Sequence, residues 1–256
     1  MRVGRRSGVG LAAGAQLGSR TPRLDLCAVT TLTPATVPAA VLWDMDGTLV
    51  DTEPYWMAAE VELVGSFDGH WTHDDGLALV GSGLWNSAKI LQSRGVAMDA
   101  DEIVDWLTNR VQTMIDEMGV PWRPGALELL AEIREHGIPT SVVTMSVRRM
   151  AEQIIARVPF DGFDVIVAGD DVENAKPHPE AYLKAAELLG VDPREAIAIE
   201  DSLTGLAAAV AAGTIAIGVP HMIPLPTSEE HTVWDSLGGR RLADLAELVA
   251  SRTASR

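Results

Sequence analysis

The chain has 256 residues, 47% hydrophobic and 22% charged, with a formal net charge of −16. That length and apolar content suit a globular protein with a sizeable core, either one domain or one domain carrying an insertion. Residues 1 to 39 hold five arginines against one aspartate, a balance of +4 that leaves −20 on the remainder; so acidic a surface repels nucleic acid and anionic membranes, and neither is an expected partner. The single cysteine, Cys27, excludes an intrachain disulfide and a cysteine-based metal cluster and suits a reducing cytoplasm. No apolar run approaches the roughly 18 residues of a membrane-spanning helix.

Taken in chain order, residues 1 to 39 form an N-terminal extension that opens basic and Gly-rich and continues into a Thr/Pro/Ala linker. Its composition predicts a disordered tail, or a start placed upstream of the true one. An export signal is the competing reading, weakened because Gly14 and Gln16 interrupt the apolar stretch Leu11 to Leu17. Strands are predicted at 40–44, 139–144, 165–168, 196–200 and 214–219, and helices at 125–136, 147–157, 179–189, 203–212 and 242–251. Strand followed by helix, repeated five times, predicts an α/β fold with a doubly wound parallel sheet covered on both faces. Between Pro54 and Pro121 the rhythm stops: helices are predicted at 55–66, 76–79, 84–94 and 100–118, with no strand. Pro54 and the segment 120–124 then read as hinges.

Open α/β sheets place their chemistry at the carboxyl ends of the strands, and Asp44, Thr144 and Glu200-Asp201 each fall where a predicted strand ends. The first of these ends is the most informative. In extended chain, residues i and i+2 project to one side, so Asp44 and Asp46 face a common site while Met45 points away. Two carboxylates so close repel, and a divalent cation, a shared proton or distinct environments must hold them apart in role. A divalent cation is the simplest of these. Gly47 lets the backbone turn away immediately afterwards.

The run Asp44-Met45-Asp46-Gly47-Thr48-Leu49-Val50-Asp51-Thr52-Glu53-Pro54 resembles motif I of the haloacid dehalogenase-like (HAD) superfamily, in the subfamily I branch of phosphatases and β-phosphoglucomutase-like enzymes. Three further stretches resemble the remaining motifs in family order: Thr144 after the second strand, Lys176 in Lys176-Pro177-His178-Pro179-Glu180, and Glu200-Asp201-Ser202 followed by Gly205 and Ala208-Ala209. The resemblance spans about Val41 to Pro220. It implies a Rossmann-like core of residues 40–54 and 121–256 with an inserted all-helical cap domain, 55–120. It implies Asp44 as the nucleophile that becomes an aspartyl phosphate and Asp46 as general acid/base. Thr144 and the Met145 backbone N–H would hold phosphoryl oxygens, and Lys176 would neutralise charge. Mg²⁺ would be ligated by Asp44, the Asp46 carbonyl, Glu200 and Asp201, an oxygen set that suits this ion. Asp170-Asp171 reads as a further ligand or a support for Lys176, Ser202 as a helix N-cap and His178 as a surface residue.

The implied reaction is Mg²⁺-dependent hydrolysis of a small phosphomonoester, a sugar or polyol phosphate. Trp56 and Ser82 are the cap residues selected as substrate-binding, from an offer that also includes His70, Trp71, His73, Trp85 and Asn86. A phosphomutase is the alternative, but such mutases carry a histidine and an arginine where this chain has Trp56 and Leu84. A non-catalytic phosphate-binding or regulatory protein is the third reading. No pattern fixes the oligomeric state, and a monomer is the default expectation.

Overall fold

In the computed structural model, residues 37 to 254 are described. The expectations for the N-terminal extension up to residue 36 lie outside them. The six strands are β1 (Ala40–Trp43), β2 (Thr140–Val143), β3 (Val165–Val167), β4 (Ala196–Glu200), β5 (Ile215–Gly218) and β6 (His231–Val233). They form one parallel sheet in the order β3-β2-β1-β4-β5-β6. The chain winds outward from β1 in both directions, the topology of a doubly wound α/β fold.

Side-chain alternation along the strands divides the core into two layers. Val41 and Trp43 join Val142, Ile197, Ile199 and Ile217 on one face. Ala40 and Leu42 join Val143, Ala196, Ala198 and Ala216 on the other. On this second, alanine-rich face lie α7 (Glu180–Leu189) and α8 (Leu203–Ala211), which bring Ala181, Ala185, Ala208 and Ala209 into the same cluster. The larger residues of the first face meet α5 (Ala126–Glu135), α6 (Arg148–Ile155) and α9 (Leu242–Ala254). The central strands β1, β4 and β5 are buried throughout and apolar, save for Glu200 at the end of β4, as a central parallel sheet requires.

Four helices lie between β1 and α5: α1 (Glu53–Gly65), α2 (His73–Leu77), α3 (Leu84–Ser93) and α4 (Ala100–Met118). They pack α1 on α4, α3 on α4 and α1 on α2. Pro54, read in sequence as a hinge, occupies the first turn of α1, where a missing N–H costs nothing. α2 starts earlier than predicted because Thr72 and Asp75 form a capping box. The connections on either side of this helical excursion pair with each other. Val50 bridges Trp122 in antiparallel fashion, the Asp51 N–H donates to the Pro121 carbonyl (2.7 Å), and the Arg123 N–H donates to the Leu49 carbonyl (3.0 Å). β6 was not predicted; it is a half-buried edge strand of three residues.

Candidate active site

Because β1 lies between β2 and β4 and all run the same way, their carboxyl ends stand side by side. Asp44, Thr144 and Asp201 are each the first residue beyond one of these ends, so three remote parts of the sequence converge. Gly47 turns the chain after Asp46 with φ +88°, and a Cβ there would overlap the Asp201 carboxylate. Only glycine serves at a position that needs both left-handed backbone and this close approach.

Lys176 sits beneath the acids with its side chain 3% exposed. Its ammonium donates to Asp44 Oδ1 (2.7 Å), Glu200 Oε1 (2.7 Å) and the Val143 carbonyl (2.8 Å), which uses all three N–H groups. The Tyr182 hydroxyl donates to the same Glu200 oxygen at 2.5 Å. Burial alone would lower the Lys176 pKa, but the carboxylates of Asp44 and Glu200 reverse this and hold it above the ordinary lysine value. Burial, reinforced by Glu200 and opposed by Lys176, raises Asp44 to about 7. Asp201 is pushed well up by burial and by Asp44 and Glu200.

Asp44, Glu200 and Asp201 offer carboxylate oxygens that lie within 4.8 Å of one another. Asp44 Oδ2 is buried without a hydrogen-bond partner, a costly state for a carboxylate unless a cation or substrate completes it. Three buried acids sharing one amine leave excess negative charge in a set of oxygen donors. Those residues fit a hard divalent cation. The Asp46 side chain belongs to a different cluster.

Asp46 is gripped from both sides. Oδ1 accepts from the Thr52 hydroxyl (2.5 Å) and the Trp56 indole N–H (3.2 Å); Oδ2 accepts from the hydroxyls of Thr144 (3.2 Å) and Ser146 (2.8 Å). Two expected phosphate or substrate contacts, Thr144 and Trp56, therefore point their donors at Asp46 here. Both also line the cleft, as do Met145 and Ser82. The Met145 sulfur accepts from the Lys176 N–H (3.3 Å), and Ser82 Oγ accepts from the Asn86 side chain (2.8 Å). Ser202 caps α8 by accepting from the Gly205 N–H. Asp170 and Asp171 accept from the Arg148 N–H and guanidinium and lie outside the cluster of Asp44, Glu200 and Asp201. Thr52, Ser146 and Tyr182 were missed as site residues although their motifs were in view; only the fold tells which side of a turn a hydroxyl takes.

Above the acids a small cleft opens between the strand ends and α1 to α4. Glu53 and Glu60 line it beside Leu79, Leu84 and Leu107. Burial, with Asp46 adding, raises Glu53 to about 8. Burial raises Glu60 to about 7, partly offset by the Trp71 indole N–H that it accepts at 3.0 Å.

A doubly wound parallel sheet whose strand ends gather an aspartate pair, a buried lysine and a second acidic pair is the architecture of a HAD-like hydrolase. Residues 38–213 match the haloacid dehalogenase-like hydrolase family model, and the chain belongs to that family. It is 30% identical over 235 residues to hexitol phosphatase B of Escherichia coli (strain K12), covering 85% of this chain and 97% of that protein. It is 32% identical over 185 residues to the fructose-1-phosphate phosphatase YqaB of the same organism, covering 71% and 96%. Among solved structures, CbbY from Rhodobacter sphaeroides in complex with xylulose-(1,5)bisphosphate superposes with a TM-score of 0.73 at 29% identity, covering 81% of this chain and 99% of that one. No helix among the described residues is long and apolar enough to cross a membrane.

Proposed function

We propose that this enzyme is a Mg²⁺-dependent phosphomonoester hydrolase that acts on a small sugar or polyol phosphate through an aspartyl-phosphate intermediate. The observation that carries this reading is Asp44, whose Oδ1 is fixed by Lys176 while Oδ2 is buried and unpartnered beside Glu200 and Asp201. A carboxylate held by one oxygen and bare at the other is oriented for attack without being neutralised. The Asp44 carboxylate attacks phosphorus, the bond from phosphorus to the substrate oxygen breaks, and Asp46 delivers a proton to that oxygen. Asp46 then accepts a proton from water as the water attacks the aspartyl phosphate, releasing phosphate and restoring Asp44.

The hydroxyls of Thr52, Thr144 and Ser146 can each donate or accept, so Asp46 keeps partners in both protonation states. General acid/base catalysis of this kind contributes ~10²–10⁴-fold. Asp44, Glu200, Asp201 and the Asp46 carbonyl would hold the cation, which when bound offsets charge on the phosphoryl oxygens. Lys176 holds the nucleophile in place, and Thr144 and Met145 border the phosphoryl position. The helices α1 to α4 act as the cap that contacts the leaving group, with Trp56 and Ser82 at its inner surface. The curated relatives named as sugar and polyol phosphatases support this substrate class. The single cysteine and the absence of a membrane-spanning helix among the described residues are consistent with a cytoplasmic reaction.

Mutase chemistry is the alternative within the same family. Trp56 and Leu84 replace the two residues such mutases carry, Trp56 being tied to Asp46 and Leu84 buried. The test is steady-state turnover of sugar, polyol and nucleotide monophosphates with Mg²⁺ and with EDTA, including β-glucose 1-phosphate coupled to detection of the 6-phosphate. Phosphate release that requires Mg²⁺ and disappears in Asp44→Asn supports hydrolysis. Isomer formation without phosphate release overturns it in favour of the mutase, and silence with every compound leaves a binding protein.

A further inference from the structure

We propose that Glu60 is the specificity residue for the leaving alcohol: it hydrogen-bonds a hydroxyl of a neutral, polyhydroxylated leaving group and rejects leaving groups that carry a second anion. This rests on the phosphatase reading and narrows its substrate class.

Glu60 lies one helical turn beyond Trp56 on the same face of α1, and Trp56 touches the proton-transferring carboxylate of Asp46. One turn is about 5.4 Å, the reach from a phosphoester oxygen to hydroxyls further along a sugar chain. Glu60 is 6% exposed yet lines the cleft. Its Oε2 accepts from Trp71, and the glycine at position 76 leaves that oxygen room, since a Cβ there would come within 3.3 Å. The carboxyl is thereby fixed by one oxygen in a cleft whose lining includes Leu79, Leu84 and Leu107 as well as Glu53, Ser82 and Ser87. A buried carboxyl there is costly unless it gains partners when the cleft fills. A substrate hydroxyl meets this in either protonation state, donating to the carboxylate or accepting from the acid.

The basic residues of the cleft determine the second half of the proposal. Among the residues lining it, Lys176 is the single base, and its three N–H groups are already committed to Asp44, Glu200 and Val143. A second phosphate on the leaving group would find no further basic residue among those lining the cleft and would face Glu60. Arginine and lysine are favoured charged donors to phosphate, and the cleft lining supplies none beyond Lys176.

The test compares wild type, Glu60→Gln and Glu60→Leu on three compounds: the best hexose or hexitol monophosphate from the panel above, its 1,6-bisphosphate, and p-nitrophenyl phosphate. In wild type, kcat/KM for the monophosphate should exceed that for the bisphosphate by ~100-fold or more. Glu60→Gln removes the charge at constant shape and should narrow that ratio by ~10-fold. Glu60→Leu removes the hydrogen bond and should lower the ratio of sugar monophosphate to p-nitrophenyl phosphate by ~10–100-fold. A residue that merely braces Trp71 would leave both ratios in place, so ratios that move by less than twofold overturn the proposal. Equal turnover of the bisphosphate by wild type, or a panel led by nucleotides, overturns it as well. Should Glu60→Leu fail to fold, the isosteric glutamine variant decides alone. Wild type silent on all three compounds with Mg²⁺ refutes the phosphatase reading itself, and this proposal with it.

Discussion

Gly205→Ala should damage a helix that alanine would ordinarily strengthen. Gly205 lies in the first turn of α8 with ordinary backbone angles, where alanine is favoured over glycine by ~1 kcal/mol. A Cβ on Gly205, however, would overlap the carboxyl group of Glu200. That group cannot step aside: Glu200 is fully buried, and its Oε1 is held by both Lys176 (2.7 Å) and Tyr182 (2.5 Å). Overpacking a rigid core site costs ~1–3 kcal/mol, and breaking one side of a buried ion pair costs ~3–5 kcal/mol. Set against the helical gain, the net destabilisation is ~3–7 kcal/mol, or ~6–28 °C in Tm at this size. Differential scanning calorimetry of wild type and Gly205→Ala without added metal measures it, and kcat should fall by at least ~10²-fold as Lys176 and Glu200 lose register. An unchanged or raised Tm would refute the reasoning, because Glu200 would then have somewhere else to go.

Lys176→Met leaves Asp44 and Glu200 facing each other without their shared cation and should reduce kcat by ~10³-fold or more, read by phosphate release. Trp56→Phe keeps the ring and removes one of the four donors to Asp46, so kcat should fall ~5–10-fold with KM nearly constant. Burial lifts Glu60 from its ordinary 4.5 to about 7, so the stability carried by its neutral form is complete below pH 4.5 and is lost as pH rises through 7. Glu60→Gln should therefore match wild type near pH 4.5 and exceed it at pH 8 by at most ~3 kcal/mol, measured by urea unfolding. Mg²⁺ at 100 times its Kd should stabilise wild type by ~2.7 kcal/mol in a thermal-shift titration, and Asp201→Asn should abolish that gain.

Strand ends that carry chemistry are legible where a buried apolar run stops at an acid or hydroxyl: Asp44 after Trp43, Thr144 after Val142-Val143, the acid pair after Ile199. β6 has no such run. His231, Thr232 and Val233 are half-buried at the sheet edge, and only pairing with β5 makes them a strand. The partners of Asp46 were equally hidden. Thr52 and Trp56 approach it because Pro54 starts α1 immediately, a consequence of helix direction that spacing alone does not disclose. Glu60 reads in sequence as one more acid on a helical stretch; its burial at the cleft and its bond to Trp71 become visible only in the fold.

The paired connections at 49–51 and 121–123 bear on how such an enzyme diversifies. Because Asp51 and Arg123 bond to Pro121 and Leu49 across the gap, α1 to α4 leave and rejoin the sheet through one narrow neck. Doubling the length of a segment closed at its ends adds only ~0.6 kcal/mol of closure entropy. The helices beyond the neck can therefore accept insertions, deletions and new side chains at little cost to the strands that hold the acids. Selection can rewrite what the enzyme recognises while the machinery that breaks the bond stays as it was.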